Sequence, residues 1–257
     1  MKKLNVNSET IALYAKQLKL PSFNYYSDII RQMDKDKSYE HFLIELLKAE
    51  SLSRAESSQK RKINAAKFPY IKTIDELDSH RYEHVSEACL HELATCDFVS
   101  KRQNIVMIGN TGMGKTHLSI ALGLKACISG MNVKFYTAAN LSNELIEAME
   151  YKRLLKLEKQ LSKTDLLIID EMSYLTFNRY QSELLFKVVA DRAEKRSVIV
   201  STNLKFSEWT TLFENETMVS ALVDRLTFRS HVLNMNGDSF RHEHTHAMRM
   251  DAVVSGT

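Results

Sequence analysis

Residues 104–116 read NIVMIGNTGMGKT, a short apolar run that breaks into Gly109-x4-Gly114-Lys115-Thr116 and then into the helix-forming stretch HLSIALGLKA. A turn that wraps a polyphosphate must bring several backbone N–H groups onto one anion. Glycine is needed there wherever a side chain would block the approach or φ is positive. Gly109, Gly112 and Gly114 meet that need, and Asn110, Thr111 and Met113 complete the loop. Lys115 can reach the β- and γ-phosphates and Thr116 can offer its hydroxyl to Mg²⁺, while His117 opens a helix whose N-terminal dipole favours the anion. The pattern therefore predicts a strand, a phosphate-binding loop and a helix, with ATP and Mg²⁺ as ligands of residues 109–117.

The chain beyond the loop alternates apolar strands with helices. NVKFYTA, DLLIID and RSVIVST follow NIVMIG as further strands, each separated from the next by a helical stretch, before a helical tail section. Strands that are apolar along their whole length belong to parallel sheets covered on both faces, so an α/β fold is expected. DLLIID runs into Asp170 and Glu171. A phosphate-loop site needs such a pair: Asp170 is placed on the metal side and Glu171 as the base that polarises water. RSVIVSTN ends in Ser201, Thr202 and Asn203, which would emerge beside the γ-phosphate at the carboxyl end of its strand. There Asn203 could orient the attacking water, or equally initiate an Asx-turn.

The first 66 residues contain no glycine and read as a small all-helical domain, with residues 67–257 as the nucleotide-binding domain. Pro21 separates two helical patterns and Pro69 closes a longer one, for which Ser38 is the expected N-cap. Phe42, Leu43, Leu46, Leu47 and Ala49 at helical spacing suggest a modest core of its own. The chain shows no apolar run of transmembrane length and no secretory h-region behind its two leading lysines, which argues for a cytoplasmic protein with no membrane partner. Three cysteines without a CxxC pair argue against a disulfide framework. His242, His244 and His246 are read as part of a solvated tail.

Four segments together carry a family resemblance: GNTGMGKTHLSIALG, LLIIDEMSYL, IVSTNLKFSEW and LVDRLTFRSHVLNMNGDSFR. They resemble the IstB family of transposition-helper ATPases, members of the AAA+ group alongside DnaC-type helicase loaders. The resemblance extends upstream through FLIELLKAESLSRAESSQKRKINAAKFP and HELATCDFV, as far as about residue 241 overall. It implies an AAA+ core, ATP hydrolysis stimulated by assembly, a ring or spiral homo-oligomer, and a role in helping a partner transposase on duplex DNA. Asn203 would be a sensor residue, Arg225 an arginine finger supplied to the neighbouring subunit, with Arg229 as its fallback, and Arg241 a second sensor. A DnaC-like loader and a nucleotide-gated scaffold without turnover are the competing readings. Asn110-Thr111 and Met113 depart from the common family loop without removing a ligand.

The net charge is only +3. From Lys48 to Lys72, however, seven basic residues stand against Glu50 and Glu56, a candidate footprint for phosphate backbones. Arg54, Lys60, Arg61 and Lys67 are the expected DNA contacts on that segment. Lys152, Arg153 and Lys156 form a second candidate patch, weakened by Glu147 and Glu158. Neither patch is rich in side chains that read base edges, so backbone contact with little sequence preference is expected.

Overall fold

The computed structural model describes residues 6–33, 38–78, 82, 85–173, 176–213 and 215–236. In chain order the elements are α1 (Val6–Leu18), α2 (Tyr26–Gln32), α3 (Tyr39–Ala66), α4 (Glu87–Ala94), α5 (Asp97–Ser100), β1 (Asn104–Ile108), α6 (Lys115–Ile128) and β2 (Val133–Thr137). They continue with α7 (Ala138–Glu150), α8 (Leu154–Ser162), β3 (Leu166–Asp170), α9 (Arg179–Arg192), β4 (Ser197–Thr202), α10 (Glu216–Thr227) and β5 (Ser230–Asn234). The chain divides into two compact units, residues 1–61 and 62–257. The division falls inside α3, not at its end. Past Arg61 the helix belongs to the larger unit: Ala66 is fully buried in that unit's core with Ile63 packed against it, and the Lys62 ammonium donates to the Gly130 carbonyl and the Asn132 side chain.

In the larger unit all five strands are parallel, in the order β2-β3-β4-β1-β5. Successive side chains of a strand point to opposite faces, so a continuous apolar strand feeds two cores. Ile105, Met107, Leu166, Ile168 and Ile199 pack under α4 and α6 with Leu118, Leu122 and Phe98. Val106, Leu167, Ile169, Val198 and Val200 face the other way, against Leu141, Leu145, Leu185, Leu222, Leu226 and Trp209 from α7, α9, α10 and the 3-10 segment Phe206–Thr211. Trp209 is fully buried and stacks edge-on against Phe206, 5.4 Å between ring centroids.

β5 replaces part of the expected helical tail. It lies outside β1, in register from Asn104 opposite Ser230 to Ile108 opposite Asn234. The helical stretch ahead of β1 is split into α4 and α5 at Cys96, whose φ of 61° breaks the helical repeat. All three cysteines are free, and burial holds the Cys96 and Cys127 thiols up at about 11, which keeps them protonated and unreactive.

The smaller unit has a polar centre. Ser38 caps α3 as expected, accepting from the His41 amide at 3.4 Å. Ala15 and Leu46 are buried, but Leu43 and Leu47 are half exposed, so the expected apolar core is thinner than the spacing suggested. Buried among them is the Glu50 carboxylate, which accepts from the Ser22 amide at 3.0 Å and from Arg54 Nε at 2.7 Å. Arg54 also donates to the Lys19 carbonyl at 2.8 Å, joining the end of α1 to α3.

Candidate functional site

β1, β3 and β4 end side by side, and their carboxyl ends carry the groups that the sequence singled out. Gly109 follows β1 directly, where its amide donates to the Thr202 carbonyl and the neighbouring Met235 amide donates back to Ile108. A Cβ on Gly109 would collide with the Met235 carbonyl. The loop then turns through Gly112 and Gly114 at φ 86° and 79°, conformations that glycine adopts without strain. Gly114 is the residue before α6, so the first amides of that helix open onto the loop. Lys115 Nζ donates to the Gly109 and Asn110 carbonyls at 2.6 and 2.7 Å. That places the ammonium across the mouth of the loop.

Thr116 Oγ1 donates to Asp170 Oδ2 at 2.8 Å, and Ser201 Oγ donates to the other carboxylate oxygen. Asp170 is 2% exposed, and these two hydroxyls occupy its two oxygens from α6 and β4. Ser201 also accepts the Glu171 amide at 3.0 Å, so a single β4 hydroxyl anchors both members of the acidic pair. Glu171 has φ 57°, an uncommon conformation for a non-glycine residue, and its side chain lines the loop's cleft. Such a turn lets adjacent carboxylates face different surroundings: Asp170 is nearly buried and held by two hydroxyls, while Glu171 borders the space where a reacting phosphate would lie. Beside Asn203, Thr202 takes the turn-forming role by accepting from the Leu204 amide at 3.1 Å. The Asn203 amide donates to Ser173 Oγ at 3.1 Å, and the residue lines the same cleft.

That cleft has a volume of about 310 Å³ and extends past the loop to Tyr70, Lys72, Glu76, Leu77 and Tyr82. Sequence reasoning missed this wall. His117 Nε2 bonds the Thr73 carbonyl at 2.7 Å, and the Tyr82 phenol donates to the Met113 carbonyl at 3.0 Å, its oxygen 2.7 Å from where a Cβ on Gly114 would sit. A second open cleft, about 830 Å³, lies on the other side of the acidic pair. It is lined by Lys67, Tyr136, Asn140, Asn143 and Glu144 together with Thr116, Asp170 and Glu171. Burial and the neighbouring Glu144 hold the Tyr136 phenol up at about 12.

The remaining candidates lie elsewhere. Arg225, near the end of α10, donates to the Ala221 carbonyl at 2.9 Å and lies over the Phe186 ring at 5.2 Å; it does not line its own chain's phosphate cleft. Arg229 packs on Phe228 at the turn into β5. Arg241 and the three tail histidines lie outside the described residues. Lys60 and Arg61 are exposed on α3, Arg54 is tied into the Glu50 network, and Lys67 borders the second cleft. Lys152, Arg153 and Lys156 are exposed at the corner between α7 and α8. No helix among the described residues is long and apolar enough to cross a membrane.

A five-stranded parallel sheet with a glycine loop at the end of β1, a carboxylate pair at the end of β3 and a polar end to β4 defines a nucleotide-binding protein of the phosphate-loop class. The fold is similar to that of AMPPCP-bound DnaA from Aquifex aeolicus, with a TM-score of 0.53 at 16% identity over 65% of this chain and 50% of that one. The crystal structure of DnaI gives 0.51 at 14% identity over 63% and 90% of the two chains. The family model for the IstB-like ATP binding protein matches residues 13–248, and the chain belongs to that family. It is 33% identical to an ATP-binding protein of insertion sequence IS21 from Pseudomonas aeruginosa, over 88% of this chain and 86% of that protein. With the corresponding protein of insertion sequence IS5376 from Geobacillus stearothermophilus the identity is 37%, over 79% and 81%.

Proposed function

We propose that this protein is an ATP-hydrolysing assembly factor that binds duplex DNA as a homo-oligomer and assists a partner transposase during insertion-sequence transposition. The observation that carries the reading is the network Thr116–Asp170–Ser201–Glu171 at the mouth of the phosphate loop. A hydroxyl and a carboxylate 2.8 Å apart are hard oxygen donors that suit Mg²⁺, which usually keeps its other positions for phosphate and water. When bound, the ion neutralises charge on the β- and γ-phosphate oxygens. In this reading, residues 109–117 hold the triphosphate, with Lys115 exchanging its carbonyl partners for phosphate oxygens. Glu171 accepts a hydrogen bond from the attacking water and Asn203 helps to aim it. Arg225 is supplied to the next subunit, in accord with its position away from its own cleft. A finger of this kind is worth about 10³–10⁵ in rate.

The relatives named for insertion sequences support the transposition setting, and the exposed Lys60 and Arg61 support phosphate-backbone contact. The test has two parts. Lys115→Ala should abolish binding of a fluorescent ATP analogue, and full binding by that variant would overturn the nucleotide site. Glu171→Gln and Arg225→Ala should each be inactive. Mixed in oligomers, they should regain hydrolysis at interfaces pairing an intact Glu171 with an intact Arg225. No recovery across mixing ratios, with mixed oligomers demonstrated, would remove the trans role of Arg225.

A further inference from the structure

On the edge of the sheet opposite the phosphate loop, the turns that lead into β1 and β4 meet the ends of α8 and α9 around a cavity of about 430 Å³. Four cations line it: Arg102 ahead of β1, Arg192 at the end of α9, and Lys195 and Arg196 ahead of β4. Leu161 and Val188, both buried, give it an apolar wall. Arg192 is the buried cation, 2% exposed. Its guanidinium donates to the Leu161, Thr164 and Ser197 carbonyls at 2.7, 3.0 and 2.9 Å, and its Nε is buried with no hydrogen-bond partner among the described residues. These bonds answer carbonyls at the end of α8 that would otherwise turn a negative helix end toward the cavity.

The acids nearby are largely engaged. Asp165 pairs with Arg196 at 3.0 Å and also accepts the Asn132 amide at 2.9 Å, while Glu158, on the cavity wall, pairs with Lys187 at 2.7 Å. Arg102 donates to the Glu194 backbone carbonyl at 3.4 Å, a long bond to a neutral group. Asp191 is the exposed carboxylate that remains on the lining. Burial and the neighbouring Arg196 push Arg192 down to about 10, the mark of a cation that its surroundings do not balance. The cavity therefore sets a positive surplus beside an aliphatic wall.

Arginine clusters recognise carboxylates through directed, charge-assisted N–H donors, and a mostly apolar concavity of this size with a few polar groups suits side chains. A phosphate backbone would bring charge but no aliphatic group to pack on Leu161 and Val188. We propose that this cavity takes an acidic segment of a partner protein, with a carboxylate held by Arg102, Lys195 and Arg196 and an aliphatic neighbour packed on Leu161 and Val188. The cavity lies at the amino ends of the strands whose carboxyl ends carry the phosphate cleft, so a partner can stay attached while nucleotide binds and leaves. Such attachment requires neither hydrolysis nor duplex DNA.

The test is fluorescence anisotropy with the full-length protein and a fluorescein-labelled peptide of alternating leucine and glutamate, beside its leucine–glutamine counterpart. Wild type should bind the glutamate peptide at least about tenfold more tightly than the glutamine one, since each lost charge-assisted hydrogen bond is worth about that much. Arg102→Ala/Lys195→Ala should remove the preference. Lys16→Ala/Arg31→Ala, which deletes the same charge from exposed positions in the smaller unit, should leave it intact. Ser162→Trp fills the cavity without altering charge and should weaken binding of the glutamate peptide as strongly, whereas Asp191→Asn should strengthen it several-fold. Circular dichroism should show every variant folded, because each altered side chain is exposed. No binding of the glutamate peptide up to millimolar concentration, or equal binding of the two peptides, would overturn the proposal. So would full binding by both the Arg102/Lys195 and Ser162→Trp variants, or an equal loss in the Lys16/Arg31 control. Displacement of the peptide by a single-stranded oligonucleotide whose own binding is lost in the Arg102/Lys195 variant would reassign the cavity to a phosphate chain.

Discussion

Ser201 is the residue on which the acidic pair depends most directly, and it lines the phosphate cleft as well. Its hydroxyl fixes one oxygen of Asp170 and the backbone of Glu171. Residues that orient catalytic or metal-binding groups in this way typically cost about 10- to 100-fold in activity or metal affinity when removed. Ser201→Ala should therefore leave nucleotide affinity within a few-fold and lower the hydrolysis rate constant by about 10- to 100-fold, measured by steady-state phosphate release beside a nucleotide titration. Ser201→Thr should recover part of the loss. Gly109 sets a different constraint, because the backbone of Met235 passes too close for any Cβ. Gly109→Ala must push β5 from β1, a packing strain of about 1–3 kcal/mol. At about 2–4 °C per kcal/mol for a unit of this size, the melting temperature should fall by roughly 2–12 °C.

Among the elements, β1, β3 and β4 were legible because burial on both faces makes each of them an uninterrupted apolar run. β5 was not. It is bonded to β1 alone and leaves Val232 half exposed, so SHVLN mixes polar and apolar residues and blends into the helix before it. The phosphate loop and the Asp170–Glu171 pair were likewise visible, since each is contiguous in sequence. The Tyr82 and Thr73 contacts span 31 and 44 residues and come from packing alone, which no spacing reveals. Arg54 was legible as a charge but not as a strut, because its partner Glu50 looked like one more surface acid of α3. Burial works to raise the Glu50 carboxyl, but hydrogen bonds from Arg54 and Ser22 outweigh it and hold the group below its ordinary 4.5. A depressed carboxylate contributes stability above its unfolded pKa and loses it as pH falls through the folded value. Acidification below about pH 4.5 should therefore weaken the α1–α3 assembly. Glu50→Gln should lower stability at neutral pH and flatten that acid limb, followed by urea unfolding at stepped pH.

For the whole molecule, the two units are built on different terms. The sheet unit buries large apolar side chains on both faces, whereas the described buried residues of the smaller unit are Ala15, Ser22, Leu46 and Glu50. Local opening is governed by buried apolar contact, so amide hydrogens of α1 and α2 should exchange orders of magnitude faster than those of β1, β3 and β4. Exchange followed by mass spectrometry would show this, and equal protection in both units would contradict it. The chain has one tryptophan, and Trp209 lies in the 3-10 segment that begins four residues after the polar end of β4. Selective tryptophan excitation consequently reports on the sheet unit and not on residues 1–61. It also places an intrinsic optical gauge on the strand end where Asn203 would answer the γ-phosphate, so emission colour should separate triphosphate from diphosphate states without any attached dye.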